Sequence, residues 1–144
     1  MQTTTLRTVI GGVAACAAML CAASGAHAAE PVTSSSVLNT CASSVADQPR
    51  TAVRGCLNTG LKEAQEQMAA AYAQVESGLK QIDSASTPEA LHTLKHSQDG
   101  FKSFLHKECK RQGAAMMGGT GAGDMEVACQ VALTRWRTAQ LLQK

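Results

Sequence analysis

Hydrophobic residues recur every three or four positions in three stretches of the chain, which is the spacing of amphipathic helices. The first stretch runs from about Pro49 and contains Leu57, Leu61, Ala64, Met68, Tyr72, Val75, Leu79 and Ile82. The second contains Leu91, Leu94, Gln98, Phe101, Leu105 and Cys109, and the third contains Met125, Cys129, Ala132, Leu133, Trp136 and Ala139. We therefore expect three long helices that bury these stripes, with Tyr72 and Trp136 in the core.

Turn-forming residues separate the three stripes. The sequence DSASTPEA interrupts the first pattern, and Thr87 is expected to cap the second helix, with Pro88 and Glu89 in its first turn. A glycine-rich loop from Gly113 to Asp124 is expected next, with Asp124 capping the third helix. Because strand patterns are almost absent, the predicted fold class is all-α, a small three-helix bundle.

The first 28 residues have the layout of a secretory signal peptide. Arg7 precedes an apolar stretch from about Val9 to Ala23, and Ala26-His27-Ala28 fits the small residues before a cleavage site. An alternative is a lipoprotein box that ends at Cys16, which would then carry the lipid. Either way the chain is expected to be exported, to the periplasm or beyond the cell.

Removal of residues 1–28 leaves 116 residues, enough for one domain with a modest core. We predict a tether or short helix over residues 29–46, the latter making a four-helix bundle, and a helical domain over residues 47–144. The mature part carries 12 Lys and Arg against 11 Asp and Glu, so it offers no broad field to nucleic acid or anionic lipid. No transmembrane span is expected in this part of the chain.

Four cysteines remain after export, namely Cys41, Cys56, Cys109 and Cys129, and in an exported chain they predict two disulfides. Of three connectivities, the local pairs Cys41–Cys56 and Cys109–Cys129 are favoured, because each brackets a break in the helical pattern. The second pair would close a 20-residue loop and contribute about 3 kcal/mol. Its glycines do not form a phosphate loop, which needs a strand before it and a Lys after the last Gly.

The second half of the chain resembles the LprI-type lysozyme inhibitor family. The resemblance rests on Leu94, Gln98, Phe101, Phe104, Glu108 and Cys109 in LKHSQDGFKSFLHKEC, on Gly118 and Gly119, and on Cys129, Leu133, Thr134, Arg137 and Leu141 in CQVALTRWRTAQL. It extends more loosely to Cys41, Cys56, Met68 and Tyr72, and departs at Leu105-His106, where the family often shows an aromatic residue and an Arg-Asp pair. The resemblance implies a small exported helical domain with paired cysteines that inhibits lysozyme.

A protein inhibitor of lysozyme needs a rigid projection that enters a cleft lined by carboxylates. The disulfide-tied loop has this position, and six residues on it and at its base are candidate contacts: Met116, Met117, Thr120, Lys107, Lys110 and Arg111. An alternative for the three basic residues is simple stabilisation of a helix C-terminus.

Other constellations point to no further chemistry. His92, His96, Asp99 and His106 lie along one polar edge of the second helix, where a histidine pair at i and i+4 can share a metal ion, but a solvated face is favoured and no metal is assigned. Arg137 is expected to form an interhelical ion pair or to extend its stem over apolar surface. Because no nucleophile is paired with a base, we predict a non-enzymatic binding protein without a cofactor. Its leading partner is a lysozyme-type muramidase, and the alternative is an envelope protein-interaction or metal-binding module.

Overall fold

The computed structural model describes residues 32–143 and contains four helices. They are α1 (Ser34–Ser44), α2 (Thr51–Lys80), α3 (Thr87–Ala114) and α4 (Thr120–Leu142). No strand occurs in this part of the chain, which confirms the all-α fold class, and the segment around Cys41 supplies the fourth helix. The proposed signal peptide and Cys16 lie outside the described residues. None of the helices in residues 32–143 combines the length and the hydropathy of a transmembrane span.

Helix α4 lies at the centre of the bundle and contacts each of the other three helices. It runs parallel to α2, since Arg54 meets Asp124 and Gly60 lies beside Val131. It runs antiparallel to α3. Phe101, earlier in α3, contacts Trp136 late in α4, whereas Cys109, later in α3, bonds to Cys129 nearer the start of α4. Helices α2 and α3 contact each other less than either contacts α4. Helices α2 and α3 therefore form a long antiparallel hairpin, and α4 packs in the groove between them.

The main hydrophobic core lies between α1, the first half of α2 and α4. Its buried members are Val37, Cys41, Leu57, Ala128, Val131 and Ala132. Helix α1 is short but well defined at its start, where the Thr33 hydroxyl accepts from the Ser36 backbone N–H and the Ser36 hydroxyl oxygen accepts from the Thr33 N–H. Its two buried residues bring it into the core.

The buried face of α4 includes Cys129 and Ala132 of the predicted stripe but departs from it towards the end of the helix. Val131 and Thr134 are buried, whereas Trp136 is 49% exposed and Ala139 is exposed, so the prediction of a core Trp136 is wrong. The reason is the central position of α4, because a helix that packs against three neighbours buries several faces and shows no single stripe. The predicted faces of α2 and α3 fit better, with Leu57 and Phe101 buried.

The reversal between α3 and α4 is much shorter than the predicted loop from Gly113 to Asp124. Only residues 115–119 lie outside the two helices. The chain turns through Met117, Gly118 and Gly119, whose φ angles of 54°, 98° and 80° place them in the left-handed region. Asp124 is consequently an interior, buried residue of α4 and not its cap, which is Gly119. Thr87 likewise lies inside α3, after Ser86 as N-cap.

Both disulfides have the local pairing that the sequence favoured. Cys41 bonds to Cys56 and joins α1 to α2, with 5.7 Å between the Cα atoms. Cys109 bonds to Cys129 and joins α3 to α4, with 5.3 Å between the Cα atoms. Cys109 and Cys129 are completely buried, so the second bond fixes the end of the bundle from inside.

Candidate functional site

The turn between α3 and α4 projects two methionines from the end of the bundle. Met117 is 93% exposed and lies in the reversal between the two helices, with a backbone φ of 54°. Met116 is 45% exposed and lines a small cleft together with Leu38, Arg50 and Asp124. The structure therefore separates the two predicted contacts, with Met117 projecting and Met116 packed beside α1 and α2.

The three basic candidates occupy the last two turns of α3 and are exposed. Arg111 is already engaged, since its Nε donates to Glu108 Oε2 at 2.8 Å. Hydrogen bonds from Arg111, and then from Gln112, lower the pKa of Glu108 to about 2. Within residues 32–143 neither Lys107 nor Lys110 forms an ion pair. These two ammonium groups remain available to a partner.

The site includes a group that the sequence reasoning missed. Arg54 of α2 donates from Nε to Asp124 Oδ1 at 2.7 Å, and the Asp124 side chain is only 10% exposed. Arg50 is the N-cap residue of α2, one turn before Arg54, and the two arginines line another cleft together with Asp124. The overlooked signal was the pair of glycines at positions 121 and 123, which leave the surface of α4 without side chains where Arg50 and Arg54 approach it.

The remaining candidates lie apart from this end or cannot be placed. The side chain of Thr120 lies outside the described part of the structure. His92 and His96 stack with 4.3 Å between ring centroids, while Asp99 accepts from Lys95 Nζ at 2.9 Å. That hydrogen bond lowers the pKa of Asp99. Within the described chain, no three His, Cys, Asp or Glu residues come close enough to hold a metal ion.

Arg137 joins α4 to α3 through neutral groups and not through the ion pair that was one of the two expectations. Its Nε donates to Gln98 Oε1 at 3.0 Å and its Nη2 donates to Ser97 Oγ at 2.9 Å. The guanidinium also lies over the Phe101 ring, 5.6 Å from its centroid. These contacts make Arg137 a structural link between the helices.

Comparison with known proteins identifies one family. The model of a family described as lysozyme inhibitor LprI matches residues 41–141, which include both disulfides and the exposed turn. No curated protein and no solved structure matches the chain.

Proposed function

Because this chain belongs to the lysozyme inhibitor LprI family, we propose that it is exported and inhibits a lysozyme-type muramidase by binding, without catalysis of its own. Two disulfides and this family membership fit a protein that works outside the cytoplasm. Residues 1–28 would be removed as a signal peptide, and α1 would act with residues 47–144 as one inhibitory unit.

The observation that supports this proposal best is the exposed turn at the end of the bundle. Met117 is 93% exposed and its neighbour Met116 is 45% exposed, so most of the apolar area of Met117 and part of that of Met116 are available for burial in a partner. The turn spans only five residues, and the buried Cys109–Cys129 bond holds the helices on either side of it. Such pre-organisation limits the conformational entropy that binding would cost.

The charge around the turn matches the chemistry of a muramidase cleft. Glycoside hydrolases of this kind work with a pair of carboxyl groups, so the cleft carries acidic side chains. In our proposal Met117 enters the cleft while Lys107 and Lys110 approach its acidic groups. Arg111 is less suited to this role, because Glu108 already holds its guanidinium.

Replacement of both Met116 and Met117 by Ser tests the proposal. The change removes apolar area whose burial in a complex is worth about 2 to 4 kcal/mol, so the inhibition constant should rise roughly thirty-fold to several-hundred-fold. Inhibition constants against several classes of lysozyme measure the effect, with circular dichroism to verify the fold. Ile82→Ser is the matched control, since Ile82 is 56% exposed at the α2–α3 turn, far from the site.

A folded wild-type protein that inhibits no class of lysozyme would overturn the proposal and leave an envelope interaction module. Inhibition that survives in the double Ser variant would instead place the contact surface elsewhere on the bundle.

A further inference from the structure

Two arginines share one cleft beside the exposed turn. Arg50 is the N-cap of α2 and has helical φ and ψ angles, so its side chain projects to the same side as that of Arg54, four positions later. Together with Thr51 and Asp124 they line a cleft of about 390 Å³. Like charges at this spacing destabilise a helix by a few tenths of a kcal/mol, so the pair has a cost that its structural role must offset.

Only one of the two guanidinium groups has an acidic partner in the described structure. Arg54 uses Nε for Asp124, which leaves both of its terminal nitrogens for other acceptors. Arg50 forms no ion pair with any residue between 32 and 143. The cleft therefore holds two positive groups and one negative group, and one more carboxylate would balance its charge.

Two glycines of α4 leave room for the guanidinium groups of these arginines. A Cβ atom on Gly123 would lie 2.5 Å from Arg54 Nη2, which is closer than a Cβ atom approaches any non-bonded heavy atom in real proteins. A Cβ atom on Gly121 would lie 3.9 Å from Arg50 Nη2, so a longer side chain there would fill the space in front of that guanidinium. The glycine pattern thus has a physical reason that is independent of the turn.

We propose that Arg50 and Arg54 form a binding site for a carboxylate, supplied by the lysozyme that the neighbouring turn contacts. The inference rests on the proposed function and adds a specific contact to it. Arg50 also lines the small cleft that Met116 borders. The arginine site and the turn therefore form one continuous surface. Two guanidinium groups can hold one carboxylate through several charge-assisted hydrogen bonds.

The first experiment examines the site in the inhibitor alone, with sodium acetate as the probe. Arginine Nε–H signals are followed by NMR during titration, with sodium chloride at equal ionic strength as reference. The signals of Arg50 and Arg54 should shift with acetate and saturate, whereas those of Arg135 and Arg137 should show no saturable shift. A uniform response of all arginines, or none, would overturn the site.

The second experiment examines the source of the carboxylate. Arg50→Met should weaken binding to the inhibited lysozyme roughly ten- to a hundred-fold, the loss expected for hydrogen bonds between charged groups. Arg135→Met is the matched control, because Arg135 is also exposed and its loss changes the net charge equally. Among lysozyme variants in which single acidic residues are replaced by their amides, the one that lacks the contacted carboxylate should show almost no further effect of Arg50→Met.

The two experiments separate the inference from the proposed function. If wild type binds no lysozyme but acetate selects Arg50 and Arg54, the proposed function fails and the site stands with a carboxylate from another source. If wild type inhibits and Arg50→Met matches Arg135→Met, the proposed function stands and the arginine contact is wrong.

Discussion

Individual charges at the end of the bundle fall into two groups. Glu108 and Asp124 are each held by an arginine, at 2.8 Å and 2.7 Å, so neither acid presents an unbalanced negative charge to a partner. Lys107, Lys110 and Arg50 have no acidic partner within residues 32–143. Glu126 lies beside Gly113 and forms no ion pair within residues 32–143, so it offsets one of these three charges. The unpaired basic groups at this end still outnumber it, although the whole chain has a formal net charge of only +2.

The Glu108 carboxyl gives a direct test of this pairing. Because hydrogen bonds from Arg111 and Gln112 favour its charged form, its pKa in the folded protein is about 2, below its ordinary value. The contribution of these contacts to stability is complete above the unfolded-state pKa and is lost as the pH falls through the folded-state pKa. Carboxyl ¹³C chemical shifts against pH should show this midpoint, and Arg111→Gln should raise it. An identical midpoint in Arg111→Gln would show that Arg111 does not hold the carboxylate in solution.

At the scale of single elements, the first turns of α4 are the least expected helical segment. They contain Gly121 and Gly123, and each glycine in a helix interior costs roughly 1 kcal/mol relative to alanine. Two contacts compensate: Arg54 lies across the bare surface to reach Asp124, and the disulfide at Cys129 anchors the helix to α3. The glycines are therefore tolerated because tertiary contacts hold the helix that they weaken.

Two glycine-to-alanine substitutions separate helix propensity from this packing. Gly100→Ala should stabilise the fold by about 0.5 to 1 kcal/mol, because the site in α3 has open space for a Cβ atom. Gly123→Ala should give less or none of this gain, because the new methyl group must shift the guanidinium of Arg54, whose Nε donates to buried Asp124. Urea denaturation of both variants measures the difference. Equal gains in the two variants would mean that the ion pair contributes little to stability.

At the scale of the whole molecule, α4 is a central helix with neighbours on several sides, whereas the sequence predicted three helices that each bury one stripe. Because α4 contacts every other helix, most of the fully buried side chains lie on it or face it. The hairpin of α2 and α3 has little contact of its own and depends on α4 to bury its apolar face. The fold should therefore respond most strongly to changes in residues that contact α4.

Leu57 is the large core residue that tests this dependence. It is completely buried in the cluster that contains Ala128 and Val131 of α4, so Leu57→Ala should cost about 2 to 5 kcal/mol of unfolding free energy. Ile82→Ala removes a similar side chain that is 56% exposed and should cost much less. Thermal and urea unfolding compare the two variants. Similar losses would contradict the position of the core between α1, α2 and α4.

The amino-acid sequence by itself determined the parts of this protein that depend on local spacing. The repeats of three and four residues predicted α2 and α3, with Leu57, Phe101 and Cys109 on buried positions. The pairing of cysteines across each break in the pattern followed for the same reason, since residues near a chain reversal are close in any bundle. The family resemblance also rested on local motifs, and the match over residues 41–141 confirmed it.

Only the tertiary structure decided where α4 begins, which of its faces are buried and what surrounds the exposed turn. Glycine-rich helical turns look like a loop in sequence, because local propensity opposes the helix and the contacts that stabilise it come from α2 and α3. Trp136 looked like a core residue because a single stripe was assumed, whereas contacts on three sides moved the buried positions to residues such as Val131 and Thr134. The pair of Arg54 and Asp124 spans 70 positions, and no periodicity records a contact between residues that only folding brings together.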